Sequence, residues 1–279
     1  MGRNKEVKAS LVAYLKELHL PSMRASFEEQ AQRAEQETLS YEQFLLELCR
    51  QECETRQASR IERLLRASRI APSKDLPSFD LKRLPAKVAR QVRTLLDGSF
   101  LDRRENVLVF GREGTGKSHL LSALGQELIR AGRKMSLWTC SLLVQELLLA
   151  KRDLKLSRVL KKLGACEGLI IDDIGYVQQS REEMEVLFTL LAERYERGSV
   201  LLTSNLPFSK WEAIFKDPMT TAAAIDRLVH HSVILELNIP SYRLEQAKKA
   251  TDLAARQEAK TTPGPPRPEP AAPGNPGES

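Results

Sequence analysis

Gly111-Arg112-Glu113-Gly114-Thr115-Gly116-Lys117-Ser118 matches the pattern G-x-x-x-x-G-K-[ST] at every position. Residues of these types in this order hold a chain of phosphates. The glycines let backbone N–H groups curl around the β- and γ-phosphates, Lys117 neutralises them, and the Ser118 hydroxyl is offered to Mg²⁺. A helix opening here, with His119 in its first turn, points the positive end of its dipole at the same anion. The predicted nucleotide contacts are therefore Gly111, Arg112, Glu113, Gly114, Thr115, Gly116, Lys117, Ser118 and His119. Further on, Gly168-Leu-Ile-Ile-Asp172-Asp173 is an apolar run that ends in two carboxylates. After a phosphate loop such a pair suits triphosphate hydrolysis: Asp172 would hold Mg²⁺ through water, and Asp173 would polarise the attacking water. Asp-Asp-Ile-Gly is also good turn chemistry, so the pair alone does not decide.

Two further polar residues complete a candidate catalytic set of Asp173, Asn205 and Arg227, with Ser118 and Asp172 as metal ligands. Asn205 tips the apolar run Ser199-Val-Leu-Leu-Thr-Ser, where it would orient water beside the γ-phosphate; an ordinary strand exit has the same composition. Arg227, in Ala224-Ile-Asp226-Arg227-Leu, would reach a neighbouring subunit's γ-phosphate as an arginine finger. The competing reading pairs it with Asp226 or another carboxylate.

The elements that must position these residues follow from periodicity. Short apolar runs near 106–110, 135–140, 168–173, 199–205 and 232–237 alternate with helical stretches, which predicts an α/β fold: a five-stranded parallel sheet sandwiched by helices. Right-handed crossovers would gather the loop, the acidic pair and Asn205 at the strands' carboxyl ends. Residues 1–95 carry no catalytic constellation and read as an all-helical region, with residues 96–250 as the ATPase domain. Glu6 to His19 has helical spacing and stops at Pro21, while Ser40 and Gln43 form a capping box before a long helix.

That helix turns basic. Arg56, Arg60, Arg63, Arg66 and Arg69 recur every three or four residues, and a second basic run comprises Lys151, Arg152, Lys155, Arg158, Lys161 and Lys162. Both are predicted to contact DNA phosphates. The alternative is a pair of solvated helix faces, with some arginines paired to Glu52 or Glu62. Aromatic residues are only 5% of the chain, so backbone contacts to double-stranded DNA are expected rather than base stacking.

Composition narrows the classes. The 279 residues are 42% hydrophobic and 29% charged, with a net charge of +6, as in a globular chain. No apolar run approaches the roughly 18 residues of a membrane span, and no signal-type apolar segment opens the sequence. A cytoplasmic protein with no membrane partner is expected. Cys49, Cys53, Cys140 and Cys166 make no metal-binding pattern and are expected to be free thiols. Residues 251–279 are Pro/Gly-rich and predicted to be disordered.

The four motifs in this order resemble the AAA+ ATPases of the initiator and helicase-loader clade, and within it the IstB-like transposition helper ATPases. Features outside the nucleotide site carry the likeness: Leu18-His-Leu-Pro-Ser-Met-Arg, Arg194-Tyr-Glu-Arg-Gly-Ser, Pro207-Phe-Ser-Lys-Trp211, Asp226-Arg-Leu-Val-His-His231 and Ser241-Tyr-Arg-Leu244. The resemblance implies ATP and Mg²⁺ as cofactors, a core without a separate lid domain, and a DNA-lining helix after the second strand. It also implies a homo-oligomer on DNA that recruits or activates a cognate transposase, with hydrolysis stimulated by DNA and by oligomerisation. A helicase loader would share every catalytic residue; a small-molecule kinase would leave Asn205 and Arg227 without a task. Asp173 stands where Glu is frequent, and this shorter arm predicts slow turnover.

Overall fold

The structure is a computed structural model that describes residues 2–175, 180–212, 218–248 and 251. Its centre is five parallel strands: β1 (Asn106–Gly111), β2 (Met135–Thr139), β3 (Gly168–Ile174), β4 (Ser199–Ser204) and β5 (Ser232–Leu237). They lie in the order β2-β3-β4-β1-β5. All five fall where the apolar runs place them. Position in the sheet explains their composition. β4 is central and buried at every residue, whereas the edge strand β5 leaves Ile234 partly exposed.

Alternate side chains along the strands feed two separate cores. On one face, Leu108, Leu169, Ile171, Val200 and Leu202 pack against α7 (Cys140–Arg152), α8 (Leu156–Gly164), α9 (Arg181–Arg194) and α10 (Pro218–Val229). On the other, Val107, Val109, Ile170, Leu201 and Leu235 meet α4 (Ala86–Leu95), α5 (Ser99–Asp102) and α6 (Lys117–Arg130). This second core also contains Ile70, Leu84, Val88, Val92 and Leu95, so it runs across the 95/96 division drawn from composition.

The N-terminal helices are α1 (Gly2–Glu17), α2 (Pro21–Gln36) and α3 (Tyr41–Ser68). They share a small core of Leu15, Met23 and Leu48, flanked by Leu20, Phe27, Phe44 and Cys49. The Ser40–Gln43 capping box is present, with Ser40 N–H donating to Gln43 Oε1 at 2.9 Å. α2 has no side-chain cap of its own. The buried Glu52 of α3 supplies one, accepting the N–H groups of Ser22 at 2.8 Å and Met23 at 3.1 Å. Burial alone would raise the Glu52 carboxyl, but these bonds and one from Arg56 overcome it and hold the group below the ordinary carboxylate value.

Arg69 leaves the expected stripe. It closes α3 in a left-handed conformation, φ 64°, and its guanidinium lies 3.5 Å from the centroid of the Trp138 ring on β2. After β5 no further domain appears among the described residues. A helical segment at 242–248 instead turns back over the phosphate loop, where Tyr242 N–H donates to the Gly114 carbonyl at 2.9 Å. The tail beyond 251 lies outside the described residues. None of the four cysteines is in a disulfide.

Candidate nucleotide site

β1 delivers Gly111 at the carboxyl edge of the sheet, and α6 starts six residues later at Lys117. Between them the chain folds into a nest. Gly116 takes φ 93°, a conformation strained for any other residue, and a Cβ there would lie 3.1 Å from the Phe79 ring. Thr115 Oγ1 and Lys117 Nζ both donate to the Arg112 carbonyl, at 2.8 and 3.0 Å, which fixes the loop's curvature. Lys117 is buried. Burial lowers the pKa of its ammonium, and the nearby Asp173, Asp172 and Glu113 oppose that shift.

β3 brings the acidic pair opposite. Its register against β4 shifts between Ile171 and Ile174, and Asp173 sits in that irregularity at φ 60°. Left-handed backbone is tolerated by Asp and Asn far better than by longer side chains, a local reason for Asp rather than Glu here. One hydroxyl joins the pair. Thr203 Oγ1 donates to Asp172 Oδ1 at 2.6 Å and accepts from the Asp173 N–H at 2.8 Å. Asp172 is buried beside Thr203, close enough to act on Lys117, while Asp173 lines the cleft. Desolvation raises the Asp173 carboxyl above its ordinary value, with Asp172 adding to the shift and Lys117 opposing it.

The cleft itself, about 510 Å³, is lined by Glu113 through His119, Asp173 and Asn205. Asn205 is held there by the loop that follows it. Trp211, fully buried, donates Nε1–H to the Leu206 carbonyl at 3.1 Å, and Phe208 packs edge-on against Phe110 with centroids 4.7 Å apart. This gives the Pro207-Phe-Ser-Lys-Trp211 sequence its task.

A third wall comes from the segment joining α3 to α4, which lies outside the motifs that mark the nucleotide site in the sequence. Lys74, Ser78, Phe79, Asp80 and Arg83 line the cleft, facing Ile239, Tyr242 and Arg243. The buried Gln126 anchors this segment by donating to the Ala71 and Lys74 carbonyls, both at 3.0 Å. His119 Nε2 lies 3.0 Å from the Asp75 carbonyl and its ring meets Phe79 edge-on. Arg83 bonds to Glu245 at 2.8 Å and closes the wall. The signals available were a polar Gln on an otherwise apolar helix stripe and a single Phe in a Pro/Ser-rich stretch.

The remaining predicted residues lie elsewhere. Asn106, the first residue of β1, donates to the Arg227 carbonyl at 3.4 Å, which puts Arg227 at the opposite end of the sheet from Gly111. At about 3.3 Å per strand residue that separation is roughly 16 Å. The Arg227 guanidinium lies 4.5 Å from the Phe188 ring centroid.

Of the basic residues, Arg56 pairs with Glu52, Arg66 with Glu62, Lys151 with Glu185 and Lys155 with Asp153, at 2.8 to 3.2 Å. Arg63 Nε donates to the Ser59 carbonyl at 3.3 Å, and Arg60 to that of Gly132 at 3.5 Å. No carboxylate partner of Arg60, Arg63 or Arg152 occurs among the described residues. α3 packs on one face of the sheet, α7 and α8 on the other.

A nest opening into α6, a buried lysine and an acidic pair at the carboxyl edge of a 2-3-4-1-5 sheet define a P-loop ATPase of the AAA+ type. The fold is similar to that of the DnaC helicase loader, with a TM-score of 0.52 and 14% identity over 61% of this chain and 98% of that one. AMPPCP-bound DnaA from Aquifex aeolicus gives 0.53 at 17% identity, over 66% of this chain and 56% of that one.

The chain belongs to the family of IstB-like ATP-binding proteins, whose family model matches residues 13–250. It is 39% identical to an insertion-sequence ATP-binding protein of Sinorhizobium fredii, over 87% of this chain and 82% of that one. Identity is 38% to the IS21 ATP-binding protein of Pseudomonas aeruginosa, covering 86% and 89% of the two chains. No helix among the described residues is long and apolar enough to cross a membrane.

Proposed function

We propose that this chain is an ATP-driven assembly factor that oligomerises on double-stranded DNA in the cytoplasm and recruits or activates a transposase. The observation that carries the reading is the buried Lys117 near Asp172 and Asp173, with one Thr203 hydroxyl tying the Asp172 carboxylate to the Asp173 backbone N–H. A buried ammonium poised among acids gains an anionic partner when triphosphate enters, and the loop N–H groups lie ready around it. Ser118 and Asp172 fit a Mg²⁺ ion, a hard cation that prefers oxygen donors and would offset phosphate charge. Asp173, whose carboxylate burial makes more basic than usual, suits the acceptance of a proton from the attacking water, which Asn205 orients. Phe79, Ile239 and Tyr242 offer apolar and aromatic surface to the base.

Arg227 is too far from its own loop to act there. It serves a neighbouring subunit's nucleotide, so hydrolysis depends on assembly. DNA contact falls chiefly to Arg60, Arg63 and Arg152, which have no carboxylate partner among the described residues. Arg56, Arg66, Lys151 and Lys155 contribute less because each already has a carboxylate. β2 is the sheet's other edge strand, and the two basic segments flank it from opposite faces, so a duplex along that edge meets both. The insertion-sequence relatives support a transposase as the partner; likeness to the helicase loader is one of fold alone.

Filter binding of ATP by Lys117→Ala, set beside DNA affinity with ATP, ADP or no nucleotide across a salt series, tests the reading. Lys117→Ala is expected to lose ATP. Wild type should hold DNA tightly only with ATP, and with a salt slope that flattens in an Arg60→Ala/Arg63→Ala/Arg152→Ala chain. Wild-type ATP binding by the Lys117 variant, or equal DNA affinity in every nucleotide state, would refute it.

A further inference from the structure

The turn after α9 and the turn between α10 and β5 bring together three side chains that ligate metals. Glu196, His230 and His231 each present a donor atom, and these atoms all lie within 4.8 Å of one another on the exposed surface. They form the sole group of three such residues among the described ones. It lies at the opposite edge of the sheet from the nucleotide cleft, next to the first residue of β1.

The backbone around the group is firmly set. His231 C=O accepts from the Asn106 N–H at 2.7 Å, and the His230 N–H donates to the Asp226 carbonyl at 3.0 Å. Glu196 holds a left-handed conformation, φ 56°, with its carbonyl bound by the Arg104 guanidinium. Such a conformation in a non-glycine residue persists only where its surroundings enforce it. The imidazoles meet edge-on with centroids 4.2 Å apart. The Tyr195 hydroxyl lies 3.1 Å from His230 Nδ1. With the proton on Nδ1 donated to that hydroxyl, the Nε2 lone pair is left for an outside partner, the usual arrangement behind a metal-bound histidine. Arg104 and Arg227 add positive charge nearby, and Glu105 and Asp226 offset it.

Two imidazoles and one carboxylate with an open fourth position suit a borderline divalent ion such as Zn²⁺ better than Mg²⁺ or Ca²⁺, which prefer oxygen. Donors around one tetrahedral ion stand about 3.4 Å apart for bonds near 2.1 Å. Exposed side chains on fixed backbones close that difference by small rotations. We propose that Glu196, His230 and His231 form a surface site for Zn²⁺ or a similar first-row divalent ion. The bound ion would clamp the turn after α9 to the start of β5 and so hold Arg227, one helical turn before His230. The site stands independently of the nucleotide reading; only this consequence for Arg227 rests on it.

The test is calorimetric titration of Zn²⁺ into the full chain after stripping with a chelator, repeated on three variants. Wild type should bind one ion per chain. His230→Ala/His231→Ala and Glu196→Gln should each abolish that binding event, and Tyr195→Phe should weaken it about tenfold to a hundredfold. A Cys49→Ser/Cys53→Ser chain should bind as wild type, and Co²⁺ in the site should show no thiolate-to-metal charge-transfer band. Circular dichroism and ATP binding confirm that each variant is folded; if the double histidine variant is not, Glu196→Gln alone decides. The absence of a saturable event in wild type overturns the proposal. Unchanged affinity in the folded histidine or Glu196 variants, or loss of binding in the cysteine variant, also overturns it.

Discussion

Replacing Thr203 by Val removes one oxygen and leaves the shape of a fully buried side chain intact. No cavity opens, so the cost is confined to hydrogen bonding. The Thr203 hydroxyl has two bonds: it donates to the buried Asp172 carboxylate at 2.6 Å and accepts from the Asp173 N–H at 2.8 Å. A bond to a charged group contributes about 1.5–3 kcal/mol net, and stranding a buried N–H costs about 1–3 kcal/mol. The two share one hydroxyl and do not add fully; a loss of about 3 kcal/mol is expected. For a chain of this size that lowers the melting temperature by roughly 6–12 °C. Thr203→Ser keeps both bonds and should stay within about 1 kcal/mol of wild type, apart from its lost methyl. The functional effect should exceed the thermal one, because the freed Asp172 carboxylate no longer presents a fixed face to Mg²⁺ and Asp173 loses its backbone anchor. Melting with and without Mg·ATP, together with steady-state phosphate release, measures both. A Thr203→Val chain that melts and hydrolyses ATP like wild type would show that the hydroxyl does not organise the acidic pair.

Asp173→Asn should retain ATP binding, stall hydrolysis and raise the melting temperature of the nucleotide-free chain slightly. The folded carboxyl titrates above its unfolded value, so its ionised form costs stability once pH rises through that raised value. Asn removes that cost and suits φ 60°; melts at pH 4 and pH 8 should differ less in the variant. Arg227→Ala subunits should bind ATP yet turn it over poorly, and mixing with Asp173→Asn subunits should restore part of the activity; failure at every ratio places Arg227 in a packing role on Phe188. Glu52→Gln should destabilise α1–α3 by about 1–3 kcal/mol at neutral pH. The Glu52 carboxyl is held below its ordinary value, so its contribution is complete above that value and disappears as pH falls through the folded one. Hydrogen exchange of the α2 amides across pH 3–7 checks the sign.

What the sequence revealed and what it hid divide along physical lines. β1, β3 and β4 each hold at least three consecutive apolar residues because both of their faces are covered, and a run of that kind names itself. The phosphate loop is legible because its glycines, lysine and serine are required at fixed offsets. The segment from Ala71 to Arg83 has no period, since its backbone carbonyls rather than its side chains fasten it to Gln126; its place in the cleft wall shows in the sequence only as that polar Gln and the lone Phe79. Thr203 was hidden for a related reason: a hydroxyl inside a β-branched strand looks like ordinary strand composition until its two partners are seen. The arginine stripe was legible from its spacing and so was the option of pairing with Glu52 or Glu62, but not which arginine takes which partner: Arg56 and Arg66 pair with those glutamates one turn away, and Arg69 lies on a tryptophan.

α3 is built into both ends of the molecule. Ile61, Leu64 and Leu65 pack into the core beneath the sheet, whereas Phe44, Leu48 and Cys49 belong to the small core of α1 and α2. At 28 residues and about 1.5 Å per residue it is a rod some 42 Å long. Its foot adjoins the Ala71–Arg83 segment that walls the cleft. A tilt of about 5° at the Arg69 joint sweeps its far end through roughly 4 Å, about the spacing of neighbouring strands. The helix therefore has the geometry of a lever, with its foot beside the cleft wall and its far end among α1 and α2.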